Sequence, residues 1–397
     1  MNPQLNLRGA TPPRRLSPRR TTRASITVAS ATALVLALAS CSSADDGTAT
    51  SESSTSASAS ASASASASST EAASSDSVVA LAEAFAATLS DDQLAELNQE
   101  YTFDNAANWS NLPNALVAGG GPGGGSGTGR VGLQTDSLSD EQWTALEDLL
   151  AAATGTAENE GFDEIMQHLS ADDYLADNGG GDDYGRGQYF IAFLGTPSDS
   201  GTWELQFGGH HLAVANTYTD GALAGATPSF RGIEPMDTVE VDGETVQPEQ
   251  QERAAFAALL AALDSDQLSS AELSSSYGDI LLGPGEDWAF PETSEGLVGS
   301  ELSDEQKELV LAAINTYVGD IDDENAATIL AKYESELDET YIAYSGDTAM
   351  ESAGDYIRID GPSVWIEFSM QNGIVLSGAH PHAVWRDKDG DYGGLTS

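Results

Sequence analysis

Five histidines occur in the 397 residues. Four of them fall in two short segments, His210 with His211 and His380 with His382. Imidazole is the commonest side-chain metal ligand and titrates near neutrality, so chemistry is sought here first. Alternate residues of a strand share a face about 7 Å apart, which lets His380 and His382 address one ion. Adjacent strand residues face opposite ways, so only one of His210 and His211 is expected to join them. A three-histidine set suits zinc, copper or non-haem iron. Two other readings stand beside it: a metal-free polar pocket for a ligand, and histidines that only hydrogen-bond within a core. Pro381, between the pair, marks a strand edge or a bulge.

Other charged groups lie close by. Asp387, Asp389 and Asp391 are spaced like the start of a calcium loop, but Tyr392 stands where glycine is needed and no closing glutamate follows at the twelfth position. Arg386 beside Asp387 reads as a charge-assisted clamp on a loop, or as a contact for an anionic ligand near the histidines. Arg358 and Glu367 are placed to form a cross-strand ion pair. Nucleophilic catalysis has little support, because no Gly-x-Ser-x-Gly elbow occurs and the single cysteine is claimed by another role. The glycine run at 118–129 lacks the Lys-Ser/Thr of a phosphate loop and reads as a surface loop.

The elements that must position the histidines are written twice. Trp203–Gly221 matches Asp355–Gly373 at a fixed offset of 152, with Leu205 on Ile357, Phe207 on Ile359, Gly209 on Gly361 and Gly221 on Gly373. FIAFLG at 190–195 matches YIAYSG at 341–346, and Leu138-Ser-Asp-Glu-Gln142 recurs as Leu302-Ser-Asp-Glu-Gln306. Asp92-Gln93-Leu94 recurs as Asp266-Gln267-Leu268, and Trp109 with Pro113 as Trp288 with Pro291. Landmarks in one order in both halves argue for an internal duplication. Residues 77–99 and 251–273 carry Ala and Leu at helical spacing. Ser139 and Ser303, each with Gln three residues on, start further helices with capping boxes. Stretches 203–207 with 212–218, and 356–359 with 364–370, read as hairpins. The expectation is an α+β domain of two pseudo-symmetric halves, about 78–232 and 251–394, each with helices followed by an antiparallel hairpin. Their strands form a shared or central sheet. His210 and Pro362 begin equivalent hairpins, and His380 aligns with Pro228, so a pseudo-twofold would bring His382 within about 10 Å of His210 or His211 for a joint site.

GHHLAVAN at 209–216 and HPHAVWRDKDGDYG at 380–393 resemble the two hallmark segments of the domain of unknown function 3500 family. The Trp-Pro segments, the Ser-Asp-Glu-Gln helix starts and GATPSF at 225–230 are similar to its members too, so the resemblance spans about residues 77–394. It implies no particular activity. The sequence departs from the family at Ala379, where members commonly have Asn. Members also usually continue past the equivalent of Gly394 through a helix bearing another histidine, so a family site that needs that residue would be incomplete here.

The first forty residues carry six arginines and no acidic residue, then an apolar run of roughly sixteen that ends in Leu38-Ala39-Ser40-Cys41. That run is shorter than the about twenty residues of a spanning helix. The pattern reads as a signal peptide over 1–40 with a lipobox, making Cys41 the lipidation site of a bacterial lipoprotein held at the extracytoplasmic face of the cell membrane. Paired arginines at 14–15 and 19–20 lack the hydrophobic residues that twin-arginine export expects. Residues 41–77 form a Ser/Ala-rich tether that cannot bury a core, and 78–397 the folded domain. Cys41 is the sole cysteine, so no disulfide framework is expected. Fifteen basic residues less the six arginines leave nine against 63 acidic ones, a net charge near −54. Such a chain repels phosphates, which excludes nucleic acid as a partner and leaves membrane attachment to the lipid.

Overall fold

Helices start where side chains satisfy the free backbone N–H groups of the first turn. Ser139 and Ser303 do so as expected, in capping boxes with Gln142 and Gln306. Two further boxes, Ser90 with Gln93 and Asp264 with Gln267, split each of the helical stretches 77–99 and 251–273 into two helices. The box glutamines meet in pairs, Gln93 with Gln142 and Gln267 with Gln306, at 3.3 and 3.0 Å. Each pair ties two helix N-termini together.

The computed structural model describes residues 77–118, 129–241 and 243–396, which lie in one compact unit. Cys41, the signal segment, most of the tether and most of the glycine run lie outside them. In chain order the described residues form α1 (Val78–Ala87), α2 (Asp91–Leu97), β1 (Asn98–Gln99), α3 (Phe103–Ala106), α4 (Asn114–Ala118), β2 (Leu133–Gln134), α5 (Asp140–Ala153) and α6 (Gly161–Leu175). There follow β3 (Phe190–Leu194), β4 (Thr202–Gly209), β5 (Leu212–Thr219), β6 (Ala222–Gly225), β7 (Ser229–Gly232), β8 (Val239–Val241) and β9 (Glu244–Val246). The remainder comprises α7 (Gln250–Ala261), α8 (Ser265–Ala271), β10 (Leu297–Val298), α9 (Asp304–Val318), α10 (Asp323–Ser335), β11 (Tyr341–Ser345), β12 (Tyr356–Asp360), β13 (Val364–Asn372) and β14 (Ala379–Asp387). The fold is therefore mixed α+β, as expected. None of the described helices is long and apolar enough to cross a membrane.

One sheet of 12 strands runs in the order β1-β3-β4-β5-β7-β14-β13-β12-β11-β10, with β2 beside β3 and β6 beside β5. All pairs are antiparallel except β1 with β3. The stretches read as hairpins lie in the pairs β4–β5 and β12–β13. The two groups of strands meet through β7 and β14, where Phe230 faces Val384 and Gly232 faces His382.

Side chains alternate between the faces of a strand, and the core follows that rule. On one face, Ile191, Phe193, Leu205 and Phe207 pack with Phe85, Leu149 and Ile165 of the helices. Ile357, Ile359 and Phe368 do the same with Phe256, Leu260 and Ile314. On the other face, Ala192, Leu194, Ala213, Phe230 and Val384 are covered by Trp109 and Tyr392. The sheet thus has helices on one side and loop segments on the other.

Candidate metal centre

His210 and His211 form the two-residue turn between β4 and β5, where Gly209 pairs with Leu212. Tight hairpin turns need positive φ, for which Asn and Gly are usual. Here His211 takes φ 63°, a conformation uncommon outside glycine that tends to persist at functional sites. The expectation that the two rings face oppositely is corrected by this turn. Strand alternation ends at Gly209, and the rings stack with centroids 3.7 Å apart and planes at 28°.

As expected of alternate strand residues, His380 and His382 project from one face of β14, with ring centroids 5.1 Å apart. Between β14 and the β4–β5 turn runs β7, which pairs with both neighbours: Arg231 faces Leu212, and Gly232 faces His382. The spacer is glycine, and a larger residue would crowd the rings. A Cβ at Gly232 would lie 3.3 Å from Cδ2 of both His211 and His382 and 3.0 Å from the Pro381 carbonyl oxygen. With hydrogen there, Nε2 of His211 comes to 3.2 Å from Nε2 of His382, well inside the approach of about 10 Å expected for a joint site. His211, His380 and His382 each present a ring nitrogen within 4.8 Å of the others. His210 is outside this set and supports it as the stacked neighbour.

Carboxylates orient two of the rings. Nδ1 of His382 is 2.9 Å from Asp279 Oδ1, and Nδ1 of His210 is 2.7 Å from Asp172 Oδ1. The Asp279 contact sets the proton on Nδ1 of His382 and leaves the Nε2 lone pair for the centre, the arrangement usual for metal-binding histidine. Burial, and then the neighbouring imidazoles, hold His211 well below the ordinary histidine range and bring His380 down to about 3, although Asp279 pulls His380 upward. Both rings are therefore neutral at physiological pH and carry free lone pairs. His380 is 1% exposed and neither of its nitrogens has a hydrogen-bond partner among the described residues.

The four histidines line a cavity of 400 Å³ with Asp279 and Ile280. Leu116 and Ile374 also line it, and they are 50% and 79% exposed. They are the exposed large hydrophobic side chains among the described residues, so the chamber has a polar floor and an apolar mouth.

Neither Arg386 nor Asp387 lines this cavity. Arg386 is fully buried, donates to Asp287 at 2.8 Å, lies 3.4 Å from Asp391 and packs over the Trp109 ring at 5.6 Å. Arg386 thus ties loop residues together and stands outside the cavity that the histidines line. Asp387 accepts from Tyr333 Oη at 2.7 Å and from the N–H groups of Asp389 and Gly390 at 2.8 and 2.9 Å. The three aspartates do not converge: Asp391 turns toward Arg386, while Asp389 is near Lys332 and Ser363. The ion pair expected between Arg358 and Glu367 is also corrected. Their backbones are in register, but Arg358 pairs with Glu295 at 2.9 Å. Glu367 accepts from Tyr356 Oη, Trp365 Nε1 and two backbone N–H groups.

Sequence reasoning missed Asp172 and Asp279, which sit in no motif, and Gly232, whose role depends on strands outside its own segment. It also passed over the fifth histidine. His168 follows Glu164 at a spacing of four, a legible sign of one helix face, and the two meet Glu249 in a second buried cluster.

Fold and site together define an α+β protein with a three-histidine cluster at the floor of a pocket. The chain belongs to the family described as a protein of unknown function, DUF3500, which it matches over residues 71–394. No curated protein and no solved structure matches it.

Proposed function

We propose that His211, His380 and His382 bind a transition metal ion, with remaining coordination directed toward the cavity. The observation that carries this reading is the 3.2 Å approach of two ring nitrogens. Two nitrogens bound to one tetrahedral ion at about 2.0–2.1 Å stand about 3.3 Å apart. Asp279 on His382, and His210 stacked on His211, give the support that metal-bound imidazoles need to hold their orientation. Zinc, copper and non-haem iron all suit three imidazoles. Such an ion supplies Lewis-acid or redox chemistry, and the chamber's apolar mouth suits a ligand with both an apolar portion and a polar group.

A metal-free ligand-binding or scaffold protein is the second reading, favoured by the possibility of reading the same contact as an N–H···N hydrogen bond. It leaves His380 without a partner for either nitrogen, which costs about 1–3 kcal/mol for a buried polar group. Elemental analysis of the full chain, purified without chelator, separates the two. His380→Ala with His382→Ala should remove one metal equivalent relative to the parent and weaken binding at least about 100-fold, since two of three ligands are gone. Equal metal content in both proteins sinks the metal reading.

We also infer that the two halves descend from one duplicated unit. Support comes from the element order: α5 and α9, β3 and β11, β4 and β12, and β5 and β13 occupy corresponding places in sequence and sheet. The lipobox motif before Cys41 supports anchoring through lipid at the outer face of the membrane. Cys41→Ala should release the protein from membranes or leave an uncleaved precursor. Parent protein that incorporates no labelled fatty acid would refute the anchor.

A further inference from the structure

A second group of metal-ligand type lies on the opposite face of β7. Strand alternation sends Gly232 toward the histidine cavity and Arg231 toward the helices. There Arg231, 2% exposed, donates to Glu164 at 3.1 Å and to Asp320 at 2.8 Å. Glu164 and His168 are one turn apart on α6, so both reach this chamber. Glu249, immediately before α7, enters from a left-handed backbone position at φ 63°. Glu252 follows on the first turn of α7, and Glu160 precedes α6. Glu164, Asp320, Glu249 and Glu160 thus act on one guanidinium, Glu252 lies among these acids, and Glu164, Glu249, Glu252, Asp320 and His168 are buried.

His168 shows what is missing from a protein-only account. Its Nδ1 is 2.9 Å from the carbonyl oxygen of Glu164. That oxygen can only accept, so Nδ1 carries the proton and Nε2 the lone pair. Nε2 is aimed at Oε1 of Glu249, 3.7 Å away, which is another lone-pair atom and too distant for a hydrogen bond. His168 Nε2, both side-chain oxygens of Glu249 and of Glu252, and Oε1 of Glu164 have no hydrogen-bond partner among the described residues. The hydroxyl of Tyr317, which faces the same group, has none either. Leaving this many acceptors buried and unpaired costs far more than one salt bridge returns. A single cation placed among them would give several of these atoms a partner at once.

We propose that Glu164, His168 and Glu249 hold a divalent first-row transition metal ion in a closed, structural site distinct from the three-histidine centre. One ligand atom from each already lies within 4.8 Å of the others, and metal bonds of about 2.0–2.2 Å would draw them in to about 3.3–3.5 Å from one another. One imidazole and two carboxylates suit zinc, manganese or ferrous iron. The charge balance points the same way, because a dication added to Arg231 brings the chamber closer to neutral. Burial, together with the neighbouring acids, otherwise pushes Glu164, Glu249 and Glu252 well above the carboxylate range. His168 keeps Nε2 for the ion, since its Nδ1 carries the proton given to the Glu164 carbonyl. The ion would join α6, the start of α7 and the back of β7, and its binding free energy would add to folding.

The test uses the full chain carrying His380→Ala and His382→Ala, which removes the first centre. After unfolding, refolding with zinc ions and desalting, this protein should retain one zinc equivalent. Adding His168→Gln and Glu249→Gln should bring that to less than a tenth. Less than a tenth of an equivalent in the His380/His382 variant, or a full equivalent surviving the two further changes, overturns the proposal. Should the quadruple variant fail to fold, anomalous diffraction at the zinc edge from crystals of the His380/His382 variant decides. A peak bounded by Glu164, His168 and Glu249 supports the site, and a peak elsewhere or none refutes it. The parent should hold one equivalent more than the His380/His382 variant. Equality there removes the three-histidine centre alone.

Discussion

Replacing Arg231 by methionine should lower the free energy of unfolding by about 3–5 kcal/mol, the cost typical of breaking a buried ion pair from one side. For a domain of this size that is a fall in Tm of roughly 5–7 °C. The guanidinium donates to Glu164 and Asp320, and also to the Ala213 and Phe230 carbonyls and the Ser229 hydroxyl. Burial pulls its pKa down, but Asp320, Glu164 and Glu249 together outweigh burial, and the net direction is upward. Methionine matches the length of the stem and removes every donor. Asp320 also accepts from the Gly161 N–H at 2.8 Å, so loss of Arg231 loosens the start of α6 as well. With chelator present, so that no ion at Glu164 contributes, adding Glu164→Gln should recover part of the loss by replacing a carboxyl left without its partner, and a double-mutant cycle in chemical denaturant measures that coupling. A single-mutant effect below about 1 kcal/mol would show that the chamber does not depend on this cation.

The second large effect concerns pH. Glu204, on β4, is fully buried and accepts from Thr217 Oγ1 of the neighbouring β5 at 3.0 Å and from Gln206 Nε2 at 3.3 Å. Burial pushes its carboxyl up to about 7 from an ordinary 4.5, against the pull of those hydrogen bonds. Between those values the native protein keeps a proton that the unfolded chain has released. Its stabilising contribution is thus complete below pH 4.5 and is lost as pH rises through about 7. The full change corresponds to about 3 kcal/mol. Glu160, pushed to about 8 by burial and then by Asp320, and Asp391, pushed to about 6 by burial, have the same sign. Buried His168 and His380 have the opposite sign and weaken the fold as pH falls below the ordinary histidine value.

Glu204→Gln isolates the first contribution, because the other groups are common to both proteins. The variant should match the parent near pH 4 and exceed it by up to about 3 kcal/mol at pH 8, measured by urea unfolding with chelator present. Parallel profiles across that range would mean that Glu204 ionises in the fold as it does in the unfolded chain.

Much of the scaffold was legible in the residues themselves. Alternation located the strands 203–207, 212–218, 356–359 and 364–370, and the Ser-x-x-Gln boxes located the starts of α5 and α9. The shared face of His380 and His382 was legible for the same reason, since strand geometry repeats every two residues whatever the strand packs against. What the residues could not show is how strands far apart in the chain are set in register. His211 meets His382 across 171 positions, and only the pairing of β7 with both β5 and β14, at a glycine, brings the rings together. The left-handed turn that stacks His210 on His211 escaped an alternation rule that holds only inside a strand. Asp172 and Asp279 reach their histidines across 38 and 103 positions, and Arg386 finds Asp287 across 99, with no local pattern to announce either. Residue pattern specified the periodic elements, their caps and which side chains share a face, because those follow from backbone geometry over a few residues. Which histidine completes the cluster, which carboxylates orient it and that five acids share a chamber with Arg231 emerge only from the packed chain, because such contacts depend on register and burial set by the whole sheet.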